Sequence, residues 1–181
     1  MLIQLGGLDM SKSIISIDPG SKGFICLREP NETFKWWAIE KMDLPEISKV
    51  LLDIKNTHDN LICCIEEVHA VFGSAASSTF TFGFNVGYLH GILAASHIPF
   101  VTVQPKKWQK CVWINGDMVY KIKADKNGKL RKETNTKESS INCAKRLFPD
   151  LDFRMSSKCS KIHDGKVDST LIGEYARRNN L

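Results

Sequence analysis

The sequence lacks any apolar run approaching the ~18 residues that a membrane-spanning helix needs. The longest, residues 91–95 with their neighbours, is broken by His90 and by Ser96 and His97. It also lacks a CxxC pair. Its cysteines, at 26, 63, 64, 111, 143 and 159, are scattered apart from Cys63 and Cys64, which sit inside an apolar run. That spacing argues against a zinc ribbon, and a disulfide scaffold does not suit a chain of 181 residues, so reduced thiols in a cytoplasmic protein are expected. The positive-then-apolar layout of a signal peptide is missing. Residues 1–9 read as an N-terminal extension ahead of one domain over 10–181. Repeats and low-complexity tracts are absent too. What is present, 43% hydrophobic and 25% charged residues, is the mix of a soluble globular domain.

The net charge of +5 is unevenly spread. Residues 1–104 carry 7 Lys and Arg against 11 Asp and Glu, whereas residues 105–137 carry 10 against 3. Positive charge gathered in one stretch suggests a polyanionic partner, although a solvated basic loop would look the same.

Residues 13–17, 24–27 and 34–39 are short apolar runs separated by turn-forming segments, which predicts an antiparallel meander. Residues 44–55 switch to helical spacing behind Asp43, a plausible cap. Strands are expected at 60–68 and 100–103, and helices at 77–96, 105–112, 138–148 and 165–179. In the 77–96 helix, Gly83, Gly87 and Gly91 fall at four-residue steps, as do Phe80, Phe84 and Tyr88. That pattern predicts a buried helix closely approached by another element. Residues 114–137, polar and basic, read as a loop or hairpin. The order implies an α/β fold: a five-stranded mixed sheet, three antiparallel strands then parallel ones, with helices on both faces.

Four acids need a reason. Asp18 ends the first strand and Glu66 the fourth, while Asp164 and Asp168 are one turn apart on the last helix. Turn capping explains an acid at a strand end, and helix capping explains Asp164, but not Asp168. If the first and fourth strands are neighbours, three segments bring carboxylates to one point. Such a cluster repels itself without cations. Oxygen-only ligands favour Mg²⁺ or Mn²⁺ over Zn²⁺. Two such ions can activate a water and steady a leaving 3′-oxygen in phosphodiester hydrolysis. Glu67, next to Glu66, is expected on the opposite strand face.

At these residues the chain resembles the RuvC group of the ribonuclease H-like superfamily, the Holliday-junction resolvases, and looks most like their short phage-type members. The matching segments are IDPGSKG (17–23), IEEVHA (65–70), SSTFTFGFNVGYLHGILAA (77–95), IPFVTVQPKKWQK (98–110) and HDGKVDSTLIGEYARR (163–178). The resemblance implies a ribonuclease H-like fold and a homodimer cutting opposite strands of a four-way junction. It implies catalytic metal ligands at Asp18, Glu66 and Asp168, with two Mg²⁺ ions per site and Mn²⁺ able to substitute. Many resolvases place the fourth ligand three residues before the last Asp, where this chain has Gly165; Asp164 is the available substitute, with His163 second. His69 and Phe72 lie where relatives contact the junction. Lys106, Lys107, Lys110, Lys121, Lys123 and Lys126 are candidate DNA contacts. The stretch 114–137 is longer than the group leads one to expect. No membrane and no small-molecule cofactor are implied, and the setting is a phage or bacterial cell interior.

Three other readings compete. A nuclease for RNA–DNA hybrids or flap DNA would need the same acids. An ATPase of the sugar-kinase and actin type would share the DPGSKG turn, but needs a second lobe and leaves Glu66 and Asp168 without a purpose. A non-catalytic DNA-binding module leaves all four acids unexplained.

Overall fold

Ser13–Ile17 (β1), Phe24–Arg28 (β2) and Phe34–Ala38 (β3) form the meander, in a computed structural model that describes residues 12–68, 75–124 and 128–181. Leu44–Thr57 (α1) and Leu61–Glu66 (β4) follow, then Ala76–Ala95 (α2), Phe100–Val103 (β5) and Pro105–Val112 (α3). Tyr120–Ala124 (β6) and Leu130–Thr134 (β7) pair as a separate hairpin, and Thr136–Leu147 (α4) and Asp164–Arg178 (α5) complete the chain. The main sheet runs β3-β2-β1-β4-β5. β2 is antiparallel to both β1 and β3, whereas β4 is parallel to β1 and β5. This is the mixed sheet expected from the element order.

Each face of the sheet carries its own core. Side chains alternate along a strand, so Ile15, Ile17, Cys63 and Ile65 meet α1 and α2, while Ile14 and Cys64 meet α3, α4 and α5. α1 starts where the capping pattern says it should. The Glu46 backbone N–H donates to Asp43 Oδ1 at 2.8 Å, and the Asp43 N–H donates to Glu46 Oε2 at 2.9 Å. None of the six cysteines is in a disulfide. Burial pushes the thiols of Cys26, Cys64 and Cys143 up to about 12, which leaves them unreactive. Among the described residues, no helix is long and apolar enough to cross a membrane.

α2 departs from expectation. It was expected to be buried along its glycine stripe, but among the described residues nothing outside the helix's own backbone lies within 4 Å of a Cβ built at Gly83, Gly87 or Gly91. Phe80 and Phe84 are 76% and 53% exposed. Leu89 and Leu93 reach the core, and the Tyr88 hydroxyl donates to the Leu44 carbonyl of α1 at 2.5 Å. Four-residue spacing shows that a face is apolar; it does not say that this chain supplies the cover. Asp164 differs as well. His163 precedes the first turn of α5 without a side-chain capping bond, and Asp164 pairs with Lys137 instead.

α5 lies across β1, β2 and β4. Gly173 permits this, because a Cβ there would sit 2.8 Å from Ser16 Oγ. An ion cluster anchors its far end. Buried Glu174 accepts from Arg28 Nη1 at 2.7 Å, from Arg177 Nε at 2.9 Å and from Arg178 Nε at 2.7 Å. Burial pushes the Glu174 carboxyl up, but the bonds from Arg177, Arg178 and Arg28 outweigh it and hold the group at about 2. A lowered folded-state pKa contributes stability that is complete above the ordinary value of 4.5 and is lost as pH falls toward 2. Glu174→Gln, which takes the shared anion from Arg177 and Arg178 and leaves buried Arg28 with the Glu32 carboxylate alone, is expected to cost about 3 kcal/mol at neutral pH. Urea unfolding should show that deficit shrinking once the pH drops below 4.5. An equal deficit in neutral and strongly acid buffer would exclude the ion cluster as its cause.

Candidate active site

β1 and β4 run parallel in register, with Ile17 beside Ile65, so Asp18, the residue after β1, comes next to Glu66, the last residue of β4, which still pairs with Val103 of β5. Both follow the even-numbered face that α5 covers. Asp18 is fixed by its own turn. The Gly20 N–H donates to Asp18 Oδ1 at 2.9 Å, and the Asp18 N–H donates to the Phe24 carbonyl at 3.1 Å. Gly23 closes that turn so tightly that a Cβ would lie 1.9 Å from the Asp18 carbonyl oxygen. Glu66 is held from below: the indole Nε1 of Trp108, a buried residue of α3, donates to Glu66 Oε1 at 2.7 Å. Asp168 comes down from the second turn of α5 and takes a hydrogen bond from Ser140 of α4, while its Oδ1 is buried with no partner.

A cavity of about 260 Å³ opens between these segments. Asp18, Asp164, Asp168 and Lys137 line it, with the 20–23 turn and Gly165; Glu66 is not part of the lining. Gly165 explains why the fourth carboxylate is displaced. A Cβ there would be 2.2 Å from the Lys22 carbonyl oxygen and 3.2 Å from Asp18 Oδ2, so no acidic side chain fits. The acid of α5 nearest that position is Asp164. His163 packs edge-on against Phe24, ring centroids 4.9 Å apart, and its buried Nδ1 lacks a hydrogen-bond partner.

The carboxylates feel one another. Burial pushes Asp168 up to about 8, with the charges of Asp18, Glu66 and Asp164 adding to it against the Ser140 bond. Burial likewise pushes Glu66 up to about 7, against the Trp108 bond and with the Asp18 charge. Asp18 is raised by burial, resisted by the Gly20 N–H and reinforced by Asp164. Asp164 moves the other way. Burial raises it, but the Lys137 ammonium bonded to it prevails. Lys137 is the pocket cation paired with Asp164, itself raised by Asp164 and, more weakly, by Asp168 and Asp18.

Among the described residues, no three His, Cys, Asp or Glu side chains converge closely enough to hold a metal ion as they stand. The four acids share a field rather than a preformed coordination shell. Their chemistry nevertheless fits a hard divalent cation. All donors are carboxylate oxygens, and Asp168 Oδ1 is buried without a partner. Asp18, Glu66, Asp164 and Asp168 would hold such an ion.

Lys106, Lys107 and Lys110 are exposed on α3, the helix whose Trp108 and Val112 turn inward. Lys121 and Lys123 are exposed on β6, each with Glu133 near, at 3.8 and 4.0 Å. His69, Phe72 and Lys126 lie outside the described residues. Sequence reasoning overlooked Lys137 and Trp108. One signal was available for Lys137, since a lysine in the first turn of a helix opposes the helix dipole and needs a local reason.

The arrangement, acids at the ends of two adjacent parallel strands beneath a final helix on a five-stranded mixed sheet, is a ribonuclease H-like fold. No protein-family model and no curated protein matches the sequence. Solved structures do match. RuvC of T. thermophilus in complex with a Holliday junction substrate superposes with a TM-score of 0.55 at 10% identity, over 93% of this chain and 96% of that one. The yeast mitochondrial Holliday junction resolvase Ydc2 superposes with a TM-score of 0.52 at 15% identity, over 97% of this chain and 81% of that one. At these identities the fold is what is shared.

Asp168→Asn removes one charge from the mutual repulsion. In metal-free buffer at pH 8 the variant is expected to be more stable than the native protein by about 2 kcal/mol, because a raised folded-state pKa costs stability as pH rises toward it. Mn²⁺ should raise the melting temperature of the native protein and leave that of the variant nearly unchanged. Equal Mn²⁺ shifts in both would remove Asp168 from cation binding.

Proposed function

We propose that this protein is a metal-dependent endodeoxyribonuclease that resolves four-way DNA junctions. The observation that carries the reading is the placement of Asp18 and Glu66 on adjacent strand ends beneath Asp168, where burial raises all three carboxyls, the Asp18 charge adds to Glu66, and Asp18 and Glu66 both add to Asp168. Like charges gathered to that degree need a cation. The two similar structures add support, since one is described as bound to a Holliday junction and the other as a Holliday junction resolvase.

In the reaction, a water oxygen bonds to the scissile phosphorus and the P–O3′ bond breaks. A proton passes to the 3′-oxygen, leaving a 3′-hydroxyl and a 5′-phosphate. Bound Mg²⁺ or Mn²⁺, two per site, would supply the Lewis acidity for attack and departure. The rest falls to the chain itself. The Trp108 indole N–H orients Glu66, and the Gly20 N–H orients Asp18. Lys137 compensates the pocket's charge and stands ready to meet a phosphate oxygen. Lys106, Lys107 and Lys110 on α3, with Lys121 and Lys123 on β6, give a cationic rim whose phosphate contacts weaken with salt, and Lys126 is a further candidate contact from the sequence. His69 and Phe72 follow β4 in sequence and are further candidates for junction contact.

A four-way junction has approximate two-fold symmetry, which an isologous dimer matches. The bare glycine face of α2, with exposed Phe80 and Phe84, is the surface we assign to the second copy. Phe84→Glu is therefore expected to shift sedimentation from dimer to monomer and to uncouple paired cuts into single nicks. A monomeric native protein would disprove that interface.

Asp18→Asn is expected to lower junction cleavage at least 100-fold while junction binding survives or tightens, because an anion facing phosphate is gone. Gel assays on a four-way junction, a flap and an RNA–DNA hybrid check both the residue and the substrate. Symmetric nicked duplexes from the junction support resolution. Degradation of the hybrid instead would move the protein to another nuclease class on the same fold.

A further inference from the structure

The β6–β7 hairpin has two faces of different chemistry, and the phosphate contacts assigned above use one of them. Strand alternation puts Lys121, Lys123, Arg131 and Glu133 on one side. Tyr120, Ile122, Leu130 and Lys132 fall on the other. Tyr120, Ile122 and Leu130 are 48%, 65% and 70% exposed, so this second face is apolar and uncovered. The hairpin belongs to no larger sheet. It is tied to the body at its neck, where the Asn135 N–H donates to the Val119 carbonyl at 2.8 Å and the Val119 N–H donates to Ser139 Oγ at 2.9 Å. Beyond the neck each strand reaches out by roughly 17 Å. Lys137, on the acidic pocket, follows just after β7. The hairpin therefore rises from the rim of the candidate active site.

Charge decides what covers the apolar face. Residues 120–134 carry six Lys and Arg against two Asp and Glu. A cation sits inside the apolar face itself, with Lys132 Nζ 3.8 Å from the centroid of the Tyr120 ring. A second protein would bring backbone and apolar side chains to this surface and leave that cation without an anion. Unpaired nucleic-acid bases bring both a flat apolar surface and an adjoining phosphate. An aromatic ring flanked by cations is how sequence-tolerant single-strand binders hold bases.

We infer that the Tyr120–Ile122–Leu130 face of the hairpin docks unpaired DNA bases at the open centre of the branched substrate. The inference deepens the junction reading and rests on it for the substrate's identity. The basic face grips the backbone beside those bases, so one hairpin reads both the charge and the opening of a branch point. Tyr120 is a binding residue here, not a catalytic one.

The test is fluorescence anisotropy with the full chain in EDTA, on a labelled four-way junction, a single strand and a linear duplex. The triple variant Tyr120→Ala, Ile122→Ala, Leu130→Ala is expected to bind the junction and the single strand roughly tenfold more weakly, and the duplex within twofold of native. Lys121→Glu with Lys123→Glu should weaken all three and flatten the salt dependence. Tyr120→Phe should behave as native, since stacking needs the ring and not the hydroxyl. Equal losses on all three DNAs, or no loss on any, would overturn the inference. So would conversion of a native dimer to monomer by the triple variant, which would assign the face to a second copy. If the native protein shows no junction preference but the single-strand loss persists, the resolvase reading falls and the hairpin inference stands. If junctions are cut and the single-strand loss is absent, the reverse holds.

Discussion

The structure turns on a register. Because β1 and β4 pair in parallel with Ile17 opposite Ile65, the residues that follow are set side by side, and both are acids. α5 then carries a third and a fourth acid over the same strand ends. Each placement is inexpensive locally, since strand ends and helix starts tolerate carboxylates. The cost comes first from burial and then from the neighbouring charges, and appears as carboxyls held at about 7 and about 8. The remainder of the molecule supports that arrangement. Two cores clamp the sheet from both faces, the Glu174 cluster pins the distal end of α5, and Trp108, Ser140 and Lys137 each attend one acid.

Much of this frame was legible in the sequence because it is locally encoded. β1 runs over the expected residues, and α1 begins at its capping box, since a β-branched run and a Ser/Asp-x-x-Glu type cap act within a few residues. Asp168 stood out because helix capping did not account for it, and Asp18 and Glu66 because neighbouring first and fourth strands would bring them to the same point. Three features were illegible for a common reason, namely that they depend on what arrives from elsewhere. The glycine stripe of α2 is apolar, yet uncovered by the chain's own described elements. Gly165 looks like a missing ligand until the Lys22 carbonyl is found beneath it. Lys137 reads as one basic residue among many until Asp164 is found beside it.

Lys137 also clarifies what kind of site this is. An acidic pocket folded without divalent ions must neutralise itself or come apart. Here an ammonium group on a flexible stem does that work, from the first turn of α4. The Lys137 side chain is 71% exposed and that of Asp164 37%, so the compensating charge sits on the solvent side of the pocket.

The single neck of the β6–β7 hairpin has an architectural consequence. Chain entry and exit meet at one backbone bond, between Val119 and Asn135, and the strands beyond it form no ladder with the main sheet. β6 and β7 thus stand apart from both cores, and a short turn in their place would leave the five-stranded sheet undisturbed. An appendage joined in this way can vary in length and composition while the strand register that sets Asp18 beside Glu66 stays as it is.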